Sequence, residues 1–184
     1  MQATVLQHSV NPVGVYLFEK FLDDIDYLNQ LTNLVSEKTE KDFMNKKTNV
    51  QGNMTEWNAL LEDFNFNKVH QKILDIVGIT YTLRTPHQRD KFNLKFANSW
   101  GMRHKKGQGT NNHIHSLGCW SGALYLSVPP HSRMYFHDYD QEVHLQDNLL
   151  IVFPGSVQHM AFPNSQDQDR ISMAFNIFQE FTYS

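Results

Sequence analysis

The stretch HIHSLGCWSGALYLSVP, residues 113–129, decides how the second half of the chain is read. Its first three residues place His113 and His115 two apart, and side chains at i and i+2 of a strand point to one face. The run SGALYLS (121–127) follows as a short β-type segment closed by Pro129 and Pro130. Working outward, NLLIVFPGSVQHMAFPN (148–164) and DRISMAFN (169–176) have the same texture. In the second of these, Arg170, Ser172, Ala174 and Asn176 share one face. Ile171, Met173, Phe175 and Ile177 share the other. Strands are expected near 79–85, 91–99, 112–115, 121–128, 133–137, 149–153, 157–161 and 169–178. Short strands with Gly, Pro and Asn between them indicate a sandwich or barrel.

Upstream the texture is helical. Residues 4–18 read as an extended segment. Phe21, Leu22, Ile25, Leu28, Leu31, Leu34 and Val35 then recur at helical spacing and predict an amphipathic helix. Residues 41–54 read as a loop, and Thr55 offers an N-cap for a short helix at Glu56–Glu62. Asn65 or Asn67 is placed to cap a second helix through Val69, Ile73, Leu74, Ile76 and Val77 that stops at Gly78. Helices first and strands after give a segregated α+β order. About eight strands suit a double-sheet jelly roll, the cupin-like architecture.

The chain has 184 residues, a formal net charge of −3 and one cysteine, Cys119. That length predicts one domain over 1–184, with 1–78 as mainly helical support and 79–184 as the jelly-roll core. The mild negative charge argues against a nucleic-acid partner. One cysteine excludes a disulfide framework within the chain and any cysteine-based zinc cluster. No run approaches the ~20 apolar residues that cross a bilayer, and the N-terminus lacks a basic segment followed by an apolar one. Together these predict a cytoplasmic protein with no membrane partner.

The ten histidines are the chemical signal. His113 and His115 on one face, joined by His159 beyond the Pro154-Gly155 turn, make a candidate metal site with three protein ligands. Such a site keeps open positions for water, substrate or oxygen. Imidazole suits several transition metals and does not name one. Arg170 in a mostly apolar strand is costly if buried alone. An anionic ligand would repair it, because the guanidinium fork matches a carboxylate; an internal ion pair, with Asp169 for example, would do so too. Ser172 adds a hydroxyl beside it, and Tyr125 a phenol from a neighbouring strand.

The order H-x-H, FP-x-x-x-x-H and R-I-S-x-x-F-N resembles the iron(II)- and 2-oxoglutarate-dependent oxygenase superfamily. It resembles most a group of small oxygenases of bacteria and their phages. Trp57, Trp100 and Gly107 extend the resemblance upstream. It implies a double-stranded β-helix with N-terminal helices packed on one sheet. It also implies Fe(II) held by His113 and His159, with 2-oxoglutarate as cosubstrate and molecular oxygen as co-reactant. Arg170 and Ser172 would bind the distal carboxylate, with Tyr125 contacting the cosubstrate. The reaction implied is hydroxylation of a small-molecule or peptidyl substrate, with release of succinate and CO₂, in a bacterial cytoplasm or phage-infected cell. A homodimer paired through edge strands or helical faces fits the same resemblance. The superfamily pattern has Asp or Glu where this chain has His115, so His115 is either the third metal ligand or a neighbour that contacts substrate.

Two other functions fit the same residues. One is a three-His cupin-type metalloenzyme that binds its substrate's own carboxylate at Arg170 and Ser172. The other is a non-catalytic jelly-roll binding module with structural histidines. Residues 103–112 read as a polar loop over the barrel mouth, with Arg103, His104, Lys105 and Lys106 as a solvated basic cluster. Trp100, Trp120, Phe153, Phe162 and Phe175 read as barrel core, with Trp120 near the mouth.

Overall fold

The computed structural model describes residues 3–6, 14–41, 48–84, 92–115 and 119–181. Two strands open the chain, β1 (Ala3–Leu6) and β2 (Val15–Phe18). Helix α1 (Ile25–Lys41), strand β3 (Asn53–Met54) and helix α2 (Asn67–Arg84) follow. Then come β4 (Phe92–His104), β5 (Thr110–His113), β6 (Trp120–Ser127), β7 (Arg133–Phe136), β8 (Gln141–His144), β9 (Leu149–Pro154), β10 (His159–Ala161) and β11 (Arg170–Phe181).

Seven strands form one sheet in the order β1-β2-β9-β6-β11-β4-β3, and four form a second in the order β5-β10-β7-β8. The expected α+β jelly roll is therefore observed, with both helices packed against the large sheet. The period-2 pattern of β11 explains the layering. Ile171, Met173, Phe175 and Ile177 face the helices and join Leu28, Leu31, Val35, Val69, Ile73 and Val77 in an outer core. Ala174 faces the small sheet and joins Trp100, Met102, Tyr125, Met134, Phe136 and Phe153 in an inner core. Trp120 and Phe175 belong to the outer core, so Trp120 lies away from the barrel mouth.

Several local expectations are corrected. The predicted strand at 79–85 is helical as far as Arg84, because α2 runs through Gly78. Thr80 fits the helix by returning its hydroxyl to Ile76 O at 2.8 Å. The α2 region is capped earlier than expected: Asp63 accepts from Asn65 N and starts a 3-10 turn at Phe64–Phe66 that leads into the helix. No helix forms at 56–62, where the chain makes turns. Thr55 instead accepts from Gly101 N at 3.0 Å and ties this segment to β4. The loop expected over 103–112 shrinks to a short turn at 105–109 that is tied down: Gly107 N donates to Asn164 O at 2.7 Å and Asn164 N to Gln108 O at 2.8 Å. Among the described residues no helix is long and apolar enough to cross a membrane.

Candidate active site

Strands β5 and β10 pair in the small sheet, and His113 and His159 are direct partners in that pairing. His115 lies just past the end of β5, so it does not share a strand face with His113 as the spacing predicts. Its position is fixed by the backbone instead, since His115 N donates to Gly155 O at 2.8 Å. The three rings still converge. The ligand nitrogens of His113, His115 and His159 lie within 4.8 Å of one another.

The ring tautomers are set by main-chain carbonyls. His113 Nδ1 lies 2.8 Å from Asn111 O, and His159 Nδ1 lies 2.9 Å from Val157 O. A carbonyl only accepts, so each Nδ1 carries the proton and each Nε2 presents a lone pair. His115 Nε2 lies 3.3 Å from His159 Nε2. Two nitrogens each ~2.1 Å from one ion at a right angle lie ~3 Å apart, so the observed spacing suits a shared metal. Burial holds the imidazoles neutral, the form that binds metal. It pushes His115 down to about 4, with His113 adding to the effect. Burial likewise lowers His113 and drives His159 well below the usual histidine range. Trp100, Phe153 and Phe136 flank the cluster with ring contacts.

A second pole lies in the same cavity. This cavity, of about 830 Å³, is lined by all three histidines and by Tyr125, Arg170 and Ser172. Arg170 is fully buried. Its Nη1 donates to Phe162 O at 3.0 Å, while Nε and Nη2 have no partner among the described residues. Those two N–H groups form the lateral fork of the guanidinium, the edge that takes a carboxylate bidentately. Asp169 does not supply it, because it pairs with Arg103 at 2.6 Å. Ser172 Oγ is also buried and unpartnered. Ser172 faces Tyr125 directly across the β11–β6 pair, and the Tyr125 hydroxyl meets the Met134 sulfur at 3.6 Å. Burial raises the Tyr125 phenol, and nearby Arg170 partly offsets this. Burial also lowers Arg170.

Two polar features escaped the sequence reading. His104 is no part of a solvated loop: it is 1 % exposed, lines the cavity and pairs across strands with Arg170. Ending β4 at Ser99 hid it; carrying the Trp100, Met102 alternation on would have turned His104 inward. Asn176, Asn98 and Ser121 form a buried row across β4, β11 and β6. In it Ser121 Oγ donates to Asn176 Oδ1 at 2.6 Å and Asn176 Nδ2 to Asn98 Oδ1 at 2.8 Å. Trp57 and Ile114, both exposed, also line the cavity.

Fold and site together describe a double-stranded β-helix with an imidazole cluster and an unpaired buried guanidinium in one cavity. Residues 98–149 match the family described as "Putative 2OG-Fe(II) oxygenase". The match takes in His113, His115 and Tyr125 and ends before His159 and Arg170. No curated protein matches the chain. Among solved structures, the fold is similar to a viral collagen prolyl hydroxylase of Paramecium bursaria Chlorella virus-1 in its 2-oxoglutarate complex. The TM-score is 0.62 at 16 % identity, covering 89 % of this chain and 94 % of that one. A Pseudomonas putida prolyl-4-hydroxylase gives a TM-score of 0.65 at 17 % identity, with 90 % and 93 % covered. HygX of Streptomyces hygroscopicus, with nickel and 2-oxoglutarate bound, gives 0.58 at 10 % identity, with 90 % and 83 % covered. The resemblance stated from the sequence motifs thus extends to the fold and to a family match over the first two histidines.

Proposed function

We propose that this protein is an iron(II)- and 2-oxoglutarate-dependent dioxygenase that hydroxylates a small-molecule or peptidyl substrate. The observation that carries the reading is the unpaired Arg170 fork in the same cavity as three converging histidines. A metal site alone would not ask for a buried guanidinium. A dicarboxylate that reaches from the metal to Arg170 accounts for both.

In this reading His113, His115 and His159 hold the metal through nitrogen and leave its other positions free. When bound, iron and 2-oxoglutarate supply the oxygen chemistry, in which the cosubstrate yields succinate and CO₂ and one oxygen atom enters a C–H bond. The protein binds and orients. Arg170 and Ser172 take the distal carboxylate, and Tyr125 donates from across the sheet. Trp100, Met134 and Phe153 wall the cavity against water. Three neutral imidazoles leave the metal its full double charge, which the 2-oxoglutarate dianion cancels. A cytoplasmic setting belongs to the same reading, because it supplies both the metal in its reduced state and the cosubstrate.

One observation favours a second reading. No carboxylate joins the described imidazole cluster, as in a three-His metalloenzyme that binds its substrate directly. Anaerobic addition of Fe(II) and then 2-oxoglutarate separates the two. The dioxygenase reading expects a visible charge-transfer band that needs both components, and its loss in Arg170→Ala with Fe(II) still bound. No band in the iron-loaded protein would overturn it.

A further inference from the structure

Within this oxygenase reading, on which the inference rests, we propose that His104 is a fourth side chain of the seat for the cosubstrate's distal carboxylate, presenting its Nδ1 edge to the anion while Thr110 fixes the ring. His104 ends β4 directly opposite Arg170, the first residue of β11. Both side chains are buried and line the same cavity. His104 Nδ1 has no partner among the described residues, like Arg170 Nε, Arg170 Nη2 and Ser172 Oγ. Four unsatisfied polar atoms in one cavity are a large cost for a seat that nothing occupies, since buried polar groups are nearly always paired.

The rest of the ring is held. His104 Nε2 lies 3.1 Å from Thr110 Oγ1. A hydroxyl both donates and accepts; when Thr110 donates there, the proton sits on Nδ1, the tautomer in which that edge can donate to an anion. The Cδ2 edge packs against Gly52, where an added Cβ would sit 3.2 Å from that carbon and 2.6 Å from Arg103 O. With one edge against Gly52 and the next nitrogen on Thr110, the ring has little freedom to turn. Burial and the neighbouring Arg170 charge hold His104 down at about 3, against an opposing backbone contact at Gly109, so the ring is neutral in the ligand-free fold. Arg170 supplies the charge, and His104 adds direction.

The test is anaerobic calorimetry on the Fe(II)-loaded protein with two ligands, 2-oxoglutarate and 2-oxopentanoate, which lacks the distal carboxylate. His104→Leu is expected to weaken 2-oxoglutarate about tenfold or more and to leave 2-oxopentanoate and Fe(II) affinity unchanged. His104→Asn, which returns a short polar group, is expected to recover part of the loss. Equal losses for both ligands would mean a structural role and overturn the assignment. Unchanged 2-oxoglutarate binding in His104→Leu would overturn it while leaving the oxygenase reading intact. Wild-type protein that binds neither ligand would overturn both.

Discussion

Arg170 has its whole lateral fork unsatisfied inside the barrel, and among the described residues its guanidinium is anchored by a hydrogen bond to the Phe162 carbonyl. Removing a charge from water costs several kcal/mol unless partners replace the lost hydration. In the proposed reading this residue weakens the ligand-free fold and prepares the ligand-bound one. Arg170→Met keeps the length of the stem and removes the charge. It is expected to raise the thermal stability of the ligand-free protein, by about 1 kcal/mol or more. Added 2-oxoglutarate should raise the melting temperature of the metal-loaded wild type and not that of the variant. A variant less stable than wild type without ligand would show that Arg170 serves the fold and not a ligand. In the proposed reading the same logic runs through charge at position 115, because a neutral ring there would leave the metal more positive than a carboxylate would and strengthen its hold on a dianion.

At the scale of elements, β11 and β4 do most of the positioning, because their alternation sends one face to the helices and the other to the cavity. Gly122 in β6 is the most closely packed of the described glycines. A Cβ there would lie 2.4 Å from Ile151 O on β9 and 2.4 Å from the Phe175 ring on β11. Gly122→Ala is expected to cost about 1–3 kcal/mol in urea unfolding and to lower 2-oxoglutarate affinity by disturbing the neighbouring Ala123–Tyr125 segment. An unchanged unfolding midpoint would count against this packing. The face assignment of β11 was legible because period 2 needs nothing but the order of residues. The end of β4 was not, since His104 looks polar and its burial depends on a partner strand some 66 residues away in sequence. Gly78 misled for a related reason: helix α2 keeps its course because Val77, Ile73 and Val69 pack on the sheet, a tertiary gain that outweighs glycine's poor propensity. The convergence of His115 was legible from its spacing for the wrong reason, because a backbone bond to Gly155, not a shared strand face, brings it in.

For the molecule as a whole, two cores are stacked on either side of the large sheet, and a neutral histidine is sealed into each region. His70 on α2 meets Ser99 Oγ at 3.0 Å under the helices, and burial lowers it to about 4. His104 sits on the cavity side at about 3, lowered by burial and then by Arg170. Both folded values lie below the ordinary 6.5. As pH falls past 6.5 the unfolded chain therefore takes up protons that the native rings refuse. The stability that neutral burial supports is complete above that pH and is lost progressively on the way down to the folded values. Each unit of displacement is worth ~1.4 kcal/mol, so by pH 5 the loss is on the order of 2 kcal/mol per ring. Native domains hold only ~5–15 kcal/mol in reserve, which makes the effect measurable. Urea midpoints should be level between pH 7 and 8 and fall steadily from about 6.5 to 5. His70→Gln, which keeps a polar end near Ser99 without a titrating ring, should reduce that slope. A midpoint independent of pH over this interval would show that water reaches these rings and that the two cores are not sealed around them.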